Sequence, residues 1–235
     1  MNLNPPNVAT FGGDVDALYR LILLITGVAF VLTQSALVWF VFRYRDRPGR
    51  RAAYVHGHNT LEIVWTVLPG LILFFLAVYQ YSSWTRMKID MPAPEEAVQV
   101  QLEPEQFTWK VRYPGADGQF DTPDDIQAPD KVMHVPVDQD VLVTLKALDV
   151  IHSFFVPQLR VKQDALPGQT IRAWFNATEA GTYEIACAEL CGLGHYSMSA
   201  RLTVESEAEF QEWLGEQQAA QAGRTRELAA APSGR

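Results

Sequence analysis

Cys187-Ala-Glu189-Leu-Cys191-Gly-Leu-Gly-His195-Tyr-Ser-Met198 holds both cysteines of the chain, one of its five histidines, a carboxylate and a thioether. Two thiolates, an imidazole and a thioether are soft or borderline donors, which suit copper better than calcium or magnesium. A second imidazole stands upstream, in Asp149-Val-Ile-His152-Ser-Phe-Phe-Val-Pro157. A mononuclear blue-copper site uses one Cys, two His and a weak axial Met, so this set has one thiolate too many. The extra sulfur is accounted for if both thiolates bridge two copper ions. Each ion then takes one terminal histidine and one weak axial donor, Met198 for one and a backbone carbonyl near Glu189 for the other. Two further readings of the same residues stand beside this one. Cysteines four positions apart can form a disulfide in an oxidising compartment. Two Cys and two His can close a tetrahedral zinc site, although that leaves Met198 unused and lacks the close ligand pairs of zinc knuckles. The Cys-x-x-Cys-His signature of haem attachment is absent.

Outward from this stretch, apolar and polar residues alternate as they do in half-buried strands. The alternation runs through Ala97–Leu102, Val132–Val137, Val141–Leu145, Ile171–Phe175, Thr182–Ala186 and Arg201–Glu205. Short strands with turn signals between them predict a β-sandwich or small barrel over residues 89–218. The candidate ligands then fall at strand ends, His152 after one strand and 187–198 between the last two. His134 sits inside a strand and reads as structural. Asp117-Gly-Gln-Phe-Asp121-Thr-Pro-Asp124-Asp125 departs from the EF-hand calcium pattern and reads as a solvated or partner-facing loop. Residues 205–218 predict a short helix with Phe210, Trp213 and Leu214 on one face. The Ala-, Gly- and Arg-rich remainder, 219–235, is expected to be disordered.

Before the strands come two apolar runs, 18–42 and 61–84, each long enough to cross about 30 Å of hydrocarbon. They define a membrane hairpin over 17–88, preceded by a polar arm, 1–16. Residues 43–51 carry five Arg and one Asp, and such clusters mark the cytoplasmic side. Loop 43–60 is therefore expected inside, with both termini and the β-domain on the outer, periplasmic face of the inner membrane. Tyr79, Tyr81 and Trp84 form an aromatic belt at the outer end of the second run. His56 and His58 read as solvated loop residues. Glu62 is a carboxylate at the inner edge of a span, which is either functional or snorkels to the interface. After Lys88 there are 23 acidic and 11 basic residues, a net of −12. That field repels phosphates, which excludes a nucleic-acid partner, and suits a basic protein instead.

The pattern Cys-x-Glu-x-Cys-x3-His-x2-Met, with His152 in a His-Ser-Phe-x-Val-Pro context, resembles the dinuclear copper (CuA) site of cytochrome c oxidase subunit II. Lys162-Gln-Asp164-Ala-Leu-Pro167-Gly168 is similar to the family as well, and the likeness extends from about residue 15 to 215. The resemblance implies a cupredoxin-like Greek-key domain behind a two-helix anchor. It implies copper ligation by His152, Cys187, Cys191, His195, Met198 and the carbonyl of Glu189. It also implies that the Glu189 carboxylate helps hold a magnesium ion at the border with subunit I. Glu62-Ile-Val-Trp65-Thr66-Val-Leu-Pro69 resembles the family segment whose glutamate opens a proton pathway into the catalytic subunit. Gln106-Phe107-Thr-Trp109-Lys-Val-Arg-Tyr113-Pro114 resembles Gln-Trp-x-Trp-x-x-x-Tyr-Pro, where the first Trp receives electrons from cytochrome c. Here that position is Phe107, with Trp109 the next aromatic, so a membrane-associated cytochrome c donor is a further expectation. Asp117, Asp121, Asp124, Asp125 and Asp149 are expected to steer a basic donor.

The function so implied is electron uptake from cytochrome c and delivery to haem in subunit I, alongside the other oxidase subunits and membrane lipid. The alternatives are a membrane-anchored copper-binding cupredoxin, a copper chaperone, or a subunit of another respiratory complex. A quinol oxidase subunit would lack the ligands at 152, 187, 191, 195 and 198. Nitrous-oxide reductase carries its similar domain on a large catalytic domain not seen in this sequence.

Overall fold

The computed structural model describes residues 5–129 and 131–230, with side chains as far as residue 223. The chain forms two compact units: Asp14–Thr85, and Met1–Gly13 together with Arg86–Arg235. The first unit is built on two helices, α1 (Gly12–Tyr44) and α2 (Asn59–Lys88). At 1.5 Å per residue they measure about 50 and 45 Å. Their apolar windows have no buried share, so both helices present greasy side chains outward, as lipid-facing helices do. Thr26 and Thr33 return their hydroxyls to the carbonyls of Ile22 and Ala29, each at 2.8 Å, so neither hydroxyl is left bare on the apolar surface. Helix α1 starts inside the stretch expected to be an arm. Asp14 lies in its first turn, where a carboxylate meets the positive end of the helix dipole. Residues 1–4 of that arm lie outside the described residues.

The second unit is a β-sandwich of two five-stranded sheets, the class the alternation predicts. Its strands are β1 (Val98–Glu105), β2 (Thr108–Tyr113), β3 (Ile126–Gln127), β4 (Val132–Pro136), β5 (Asp140–Leu145), β6 (His152–Val156), β7 (Val161–Ala165), β8 (Ile171–Asn176), β9 (Gly181–Cys187) and β10 (Ser199–Glu205). One sheet runs β3-β2-β1-β5-β8 and the other β4-β10-β9-β6-β7. Parallel pairs β1–β5 and β4–β10 sit among antiparallel neighbours. Val100, Leu102, Trp109, Val111, Val141, Val143, Phe154, Phe175, Ile185 and Leu202 fill the core.

Residues 7–11 belong to this unit. Val8 N–H donates to the Gln158 carbonyl at 3.0 Å, Thr178 N–H donates to the Val8 carbonyl at 2.9 Å, and Ala9 bridges Ala177. Phe11 is buried and meets Trp174 edge-on, 5.4 Å between centroids.

The terminal helix, α3 (Glu207–Ala230), is longer than the 205–218 expected and replaces most of the expected disordered tail. Ala219-Ala-Gln-Ala-Gly and the Arg-, Leu- and Ala-containing run after it are mostly strong helix formers, while residues 231–235 lie outside the described residues. Its start is a capping box. Ser206 Oγ accepts from Glu209 N–H at 3.3 Å, and the Glu209 carboxylate accepts from Ser206 N–H at 3.0 Å. Phe210 is buried, and Trp213 stacks on His134 at 4.1 Å. His134 also meets Glu205 through Nδ1 at 3.0 Å, so it pins α3 to the sheet, the structural role its strand position suggests.

Candidate metal centre

The centre is assembled by the neighbours β6, β9 and β10. Cys187 ends β9 and Met198 stands just before β10, and the hairpin register puts Cys187 N–H on the Met198 carbonyl at 3.2 Å. β6 pairs on the other side of β9, with Phe154 opposite Cys187 and Ala188 N–H on the Ser153 carbonyl at 3.1 Å. Three strands thus bring His152, Cys187 and Met198 together, and the 188–197 loop folds the remaining donors over them. Gly192 has φ +136°, a conformation that favours glycine over any residue with a Cβ.

The donor atoms converge. Cys187 Sγ lies 3.9 Å from Cys191 Sγ, 3.9 Å from His152 Nδ1 and 3.3 Å from the Glu189 carbonyl. Cys191 Sγ lies 3.7 Å from both His195 Nδ1 and Met198 Sδ. Two donors each about 2.0–2.3 Å from a shared ion stand about 3.3–3.8 Å apart, so these spacings fit ligation. Both cysteines are free thiols, and their separation is far beyond a disulfide bond of about 2.05 Å. Burial, with the neighbouring Cys187 next, pushes the Cys191 thiol up to about 11.

His152 is fully buried, and its other ring nitrogen, Nε2, meets Asp149 Oδ1 at 2.8 Å. That bond keeps the proton on Nε2 and leaves Nδ1 free to face the sulfur, the arrangement typical of a metal-binding imidazole. Burial raises the Asp149 pKa, but hydrogen bonds from His152, Gln106 and Val150 outweigh it and hold the carboxyl below its ordinary value.

Asp149, one of the carboxylates expected to steer a donor, holds the His152 ring through the bond to Nε2. Asp121 and Asp125 are similarly engaged. Arg112 reaches both, and Lys146 Nζ lies 2.6 Å from Asp121. Of the five expected steering carboxylates, Asp117 and Asp124 remain free of ion pairs among the described residues. Trp109 is 1% exposed, with its ring 6.4 Å from that of His152. Inward alternation along β2 takes it away from the surface, so it offers a donor no contact. Phe107 is half-buried at the β1–β2 turn against the ligand loop. The Glu189 carboxylate is exposed. Glu62 stands apart in the helical unit, in the first turn of α2, where His58 Nδ1 accepts from Leu61 N–H at 3.2 Å. Around the donors, Leu190, Leu193 and Tyr196 are bare, the last two 97% and 91% exposed.

Sequence reasoning left Gln106 without a role. Its side-chain amide donates to the Cys191 carbonyl at 2.5 Å, a partner 85 positions away that no local pattern announces. For Asp149 a signal existed, a carboxylate three residues before a candidate ligand histidine.

The profile described as "Cytochrome C oxidase subunit II, periplasmic domain" matches residues 116–206, and "Cytochrome C oxidase subunit II, transmembrane domain" matches residues 9–82. The alternative cytochrome c oxidase subunit 2 of Bradyrhizobium diazoefficiens is 31% identical over 89% of this chain and 82% of its own length. Cytochrome c oxidase subunit 2 of Thermostichus vulcanus is 34% identical over 87% and 75% respectively. The crystallised periplasmic domain of subunit II of cytochrome oxidase of Bradyrhizobium japonicum is 31% identical. It covers 55% of this chain and 98% of that one, at a TM-score of 0.47. With a two-helix membrane anchor, a β-sandwich and relatives of this kind across most of its length, the chain belongs to the cytochrome c oxidase subunit II family, a component of an oxidoreductase complex.

Proposed function

We propose that this chain is the electron-accepting subunit of a haem–copper oxygen reductase and holds a dinuclear copper CuA centre. The observation that carries the reading is the donor set itself. Two unbonded thiols face each other, each has its own imidazole, and a thioether and a carbonyl close the two ends. The thioether separates this set from zinc, which takes thiolate, imidazole and carboxylate, and the second thiolate separates it from a mononuclear cupredoxin. When bound, the copper pair supplies a one-electron redox couple.

The protein's residues hold and shield that couple. Cys187, Cys191, His152 and His195 would hold the copper pair, with Met198 and the Glu189 carbonyl as the weak donors that would tune it. Buried His152, Cys191 and Met198 exclude water. The bare Leu190, Leu193 and Tyr196 offer the kind of apolar patch that docking surfaces use, here for subunit I or the cytochrome c donor. Phe107 is the aromatic where electrons enter, with buried Trp109 beside His152 behind it. Haem in subunit I would be the acceptor of these electrons and the place of oxygen reduction. The exposed Glu189 carboxylate would help hold a magnesium ion shared with subunit I, and Glu62 would collect protons from the cytoplasmic side. The arginine-rich segment 43–51 supports an inward-facing loop. Residues 7–11 pack on the same β-unit that follows residue 86, which supports placing both ends of the hairpin on the outer face.

The full chain loaded with copper tests this. Two copper ions per chain and a paramagnetic resonance spectrum of one electron shared between two nuclei are expected, and Cys187→Ser abolishes both. One copper per chain leaves the anchored-cupredoxin alternative, and neither outcome alters the family assignment.

A further inference from the structure

The β1–β2 turn, Gln106-Phe107, reaches both halves of the metal centre. On one side the Gln106 amide donates to the Cys191 carbonyl. On the other, Gln106 N–H donates to Asp149 Oδ2 at 2.7 Å, while Asp149 Oδ1 holds His152 Nε2 at 2.8 Å. The Phe107 ring fills the space over the two glycines of Cys191-Gly192-Leu193-Gly194-His195. A Cβ on Gly194 would lie 2.5 Å from Phe107 Cδ2, and one on Gly192 would lie 2.7 Å from the Gln106 amide nitrogen and 3.1 Å from the ring. The ends of the loop are tied to the sheet by Ala188 N–H on the Ser153 carbonyl and Cys187 N–H on the Met198 carbonyl, but between them its backbone bonds, His195 to Gly192, Ser197 to Gly194 and Met198 to His195, are all local turns. These turns shape the middle of the loop without fixing where it lies. The turn supplies that position from another sheet.

We propose that Gln106 and Phe107 are positioning residues that hold the ligand loop in its ligating arrangement before copper arrives, with Asp149 as the second leg of the same clamp. This rests on the reading of the site as a copper centre. It gives Phe107 a task independent of the electron donor. A small residue at 192 and 194 is then required by the ring across from it. At 194, where φ is −88° and ψ 8°, alanine is free of backbone strain, so the ring is the obstacle there. A preformed loop spares the metal the cost of ordering it, which is how preorganisation raises affinity.

The test uses the full chain in detergent, first free of metal. Hydrogen exchange of the 188–198 amides is followed in the parent, Gln106→Ala, Gln106→Glu, Gly194→Ala, Phe107→Ala and the Gly194→Ala/Phe107→Ala pair. Loss of one such hydrogen bond is expected to speed loop exchange roughly tenfold, with β4 and β5 unchanged. Gln106→Glu keeps the length but loses the amide donor, and should match Gln106→Ala. The Gly194→Ala/Phe107→Ala pair should cost less than the sum of its two single effects, because removing the ring removes the clash. Stopped-flow copper uptake should slow in Gln106→Ala, and the loaded variant's visible spectrum should shift. Unchanged loop exchange in Gln106→Ala and Gly194→Ala overturns the proposal, as do additive effects in the pair. Faster exchange with uptake and spectrum both at parent values makes the turn merely structural and overturns it too. Failure of the parent itself to take up copper refutes the copper reading, while the metal-free exchange data still judge the clamp.

Discussion

A weak axial thioether alters the energy of a copper redox site more than its occupancy. Met198 is buried beside Cys191, and leucine has nearly its volume, so Met198→Leu costs about 1.5 kcal/mol or less in packing. Copper content should stay at the parent level while the reduction potential shifts, which protein film voltammetry measures. A lost cluster would mean the thioether anchors rather than tunes. At this scale the donor residues that the fold gathers were legible because softness and spacing are written in side-chain chemistry. The residues that orient them were not. Asp149 was read for its charge alone, and Gln106 acts across 85 positions of chain, where only the folded sheets reveal the contact.

Among the elements, the 114–125 loop is the one most dependent on charge. The Lys146 ammonium, hydrogen-bonded at 2.6 Å, holds the Asp121 carboxyl below its ordinary value, against an upward push from burial. A carboxyl whose folded pKa is depressed contributes fully above the unfolded value of about 3.9 and loses that contribution as pH falls through its lower folded value. The pair is exposed, so Lys146→Ala should cost roughly 0.5 kcal/mol at neutral pH. Melting curves of parent and variant should converge in acid, once the pH has fallen below the depressed folded value of Asp121 and it is protonated in both. A difference that persists in acid would assign Lys146 a packing role instead. The alternation of six strands was readable because one face is wet and the other buried. β6 was missed because Phe154 and Val156 belong to an almost continuously buried run, which has no period to detect. The length of α3 was missed because an Ala-rich composition fits both a loose tail and a helix, and the capping box at Ser206 decides for the helix.

At the scale of the molecule, charge and greasiness are partitioned between the two units. The arginines of 43–51 sit between the two apolar helices, and the net −12 after Lys88 belongs to the β-unit. Glu62 opens α2 next to that arginine loop, so the proposed proton role has its own test. In the assembled oxidase, Glu62→Ala should slow steady-state oxygen consumption severalfold while reduction of the copper centre by cytochrome c stays at the parent rate. Equal turnover would reduce Glu62 to an interfacial carboxylate. The two-unit plan was legible from hydropathy alone. The membership of residues 7–11 in the β-unit was not, since Asn7-Val-Ala-Thr-Phe11 is too short to carry a period.

That short segment has a consequence for the timetable of synthesis. Residues 7–11 leave the ribosome well before the groups that receive them, which lie about 150 positions or more further along the chain. Pro5 offers its carbonyl to Arg160, 155 positions later, and Val8 and Phe11 wait for Thr178 and Trp174. Closing so long a loop is slow, so the segment is expected to dock late. Phe11→Ala, which strips the buried ring from that late contact, should speed unfolding of the β-unit and leave its refolding rate almost unchanged. Stopped-flow tryptophan fluorescence on the full chain reads both limbs, and a slowed refolding limb would place residues 7–11 in the folding nucleus.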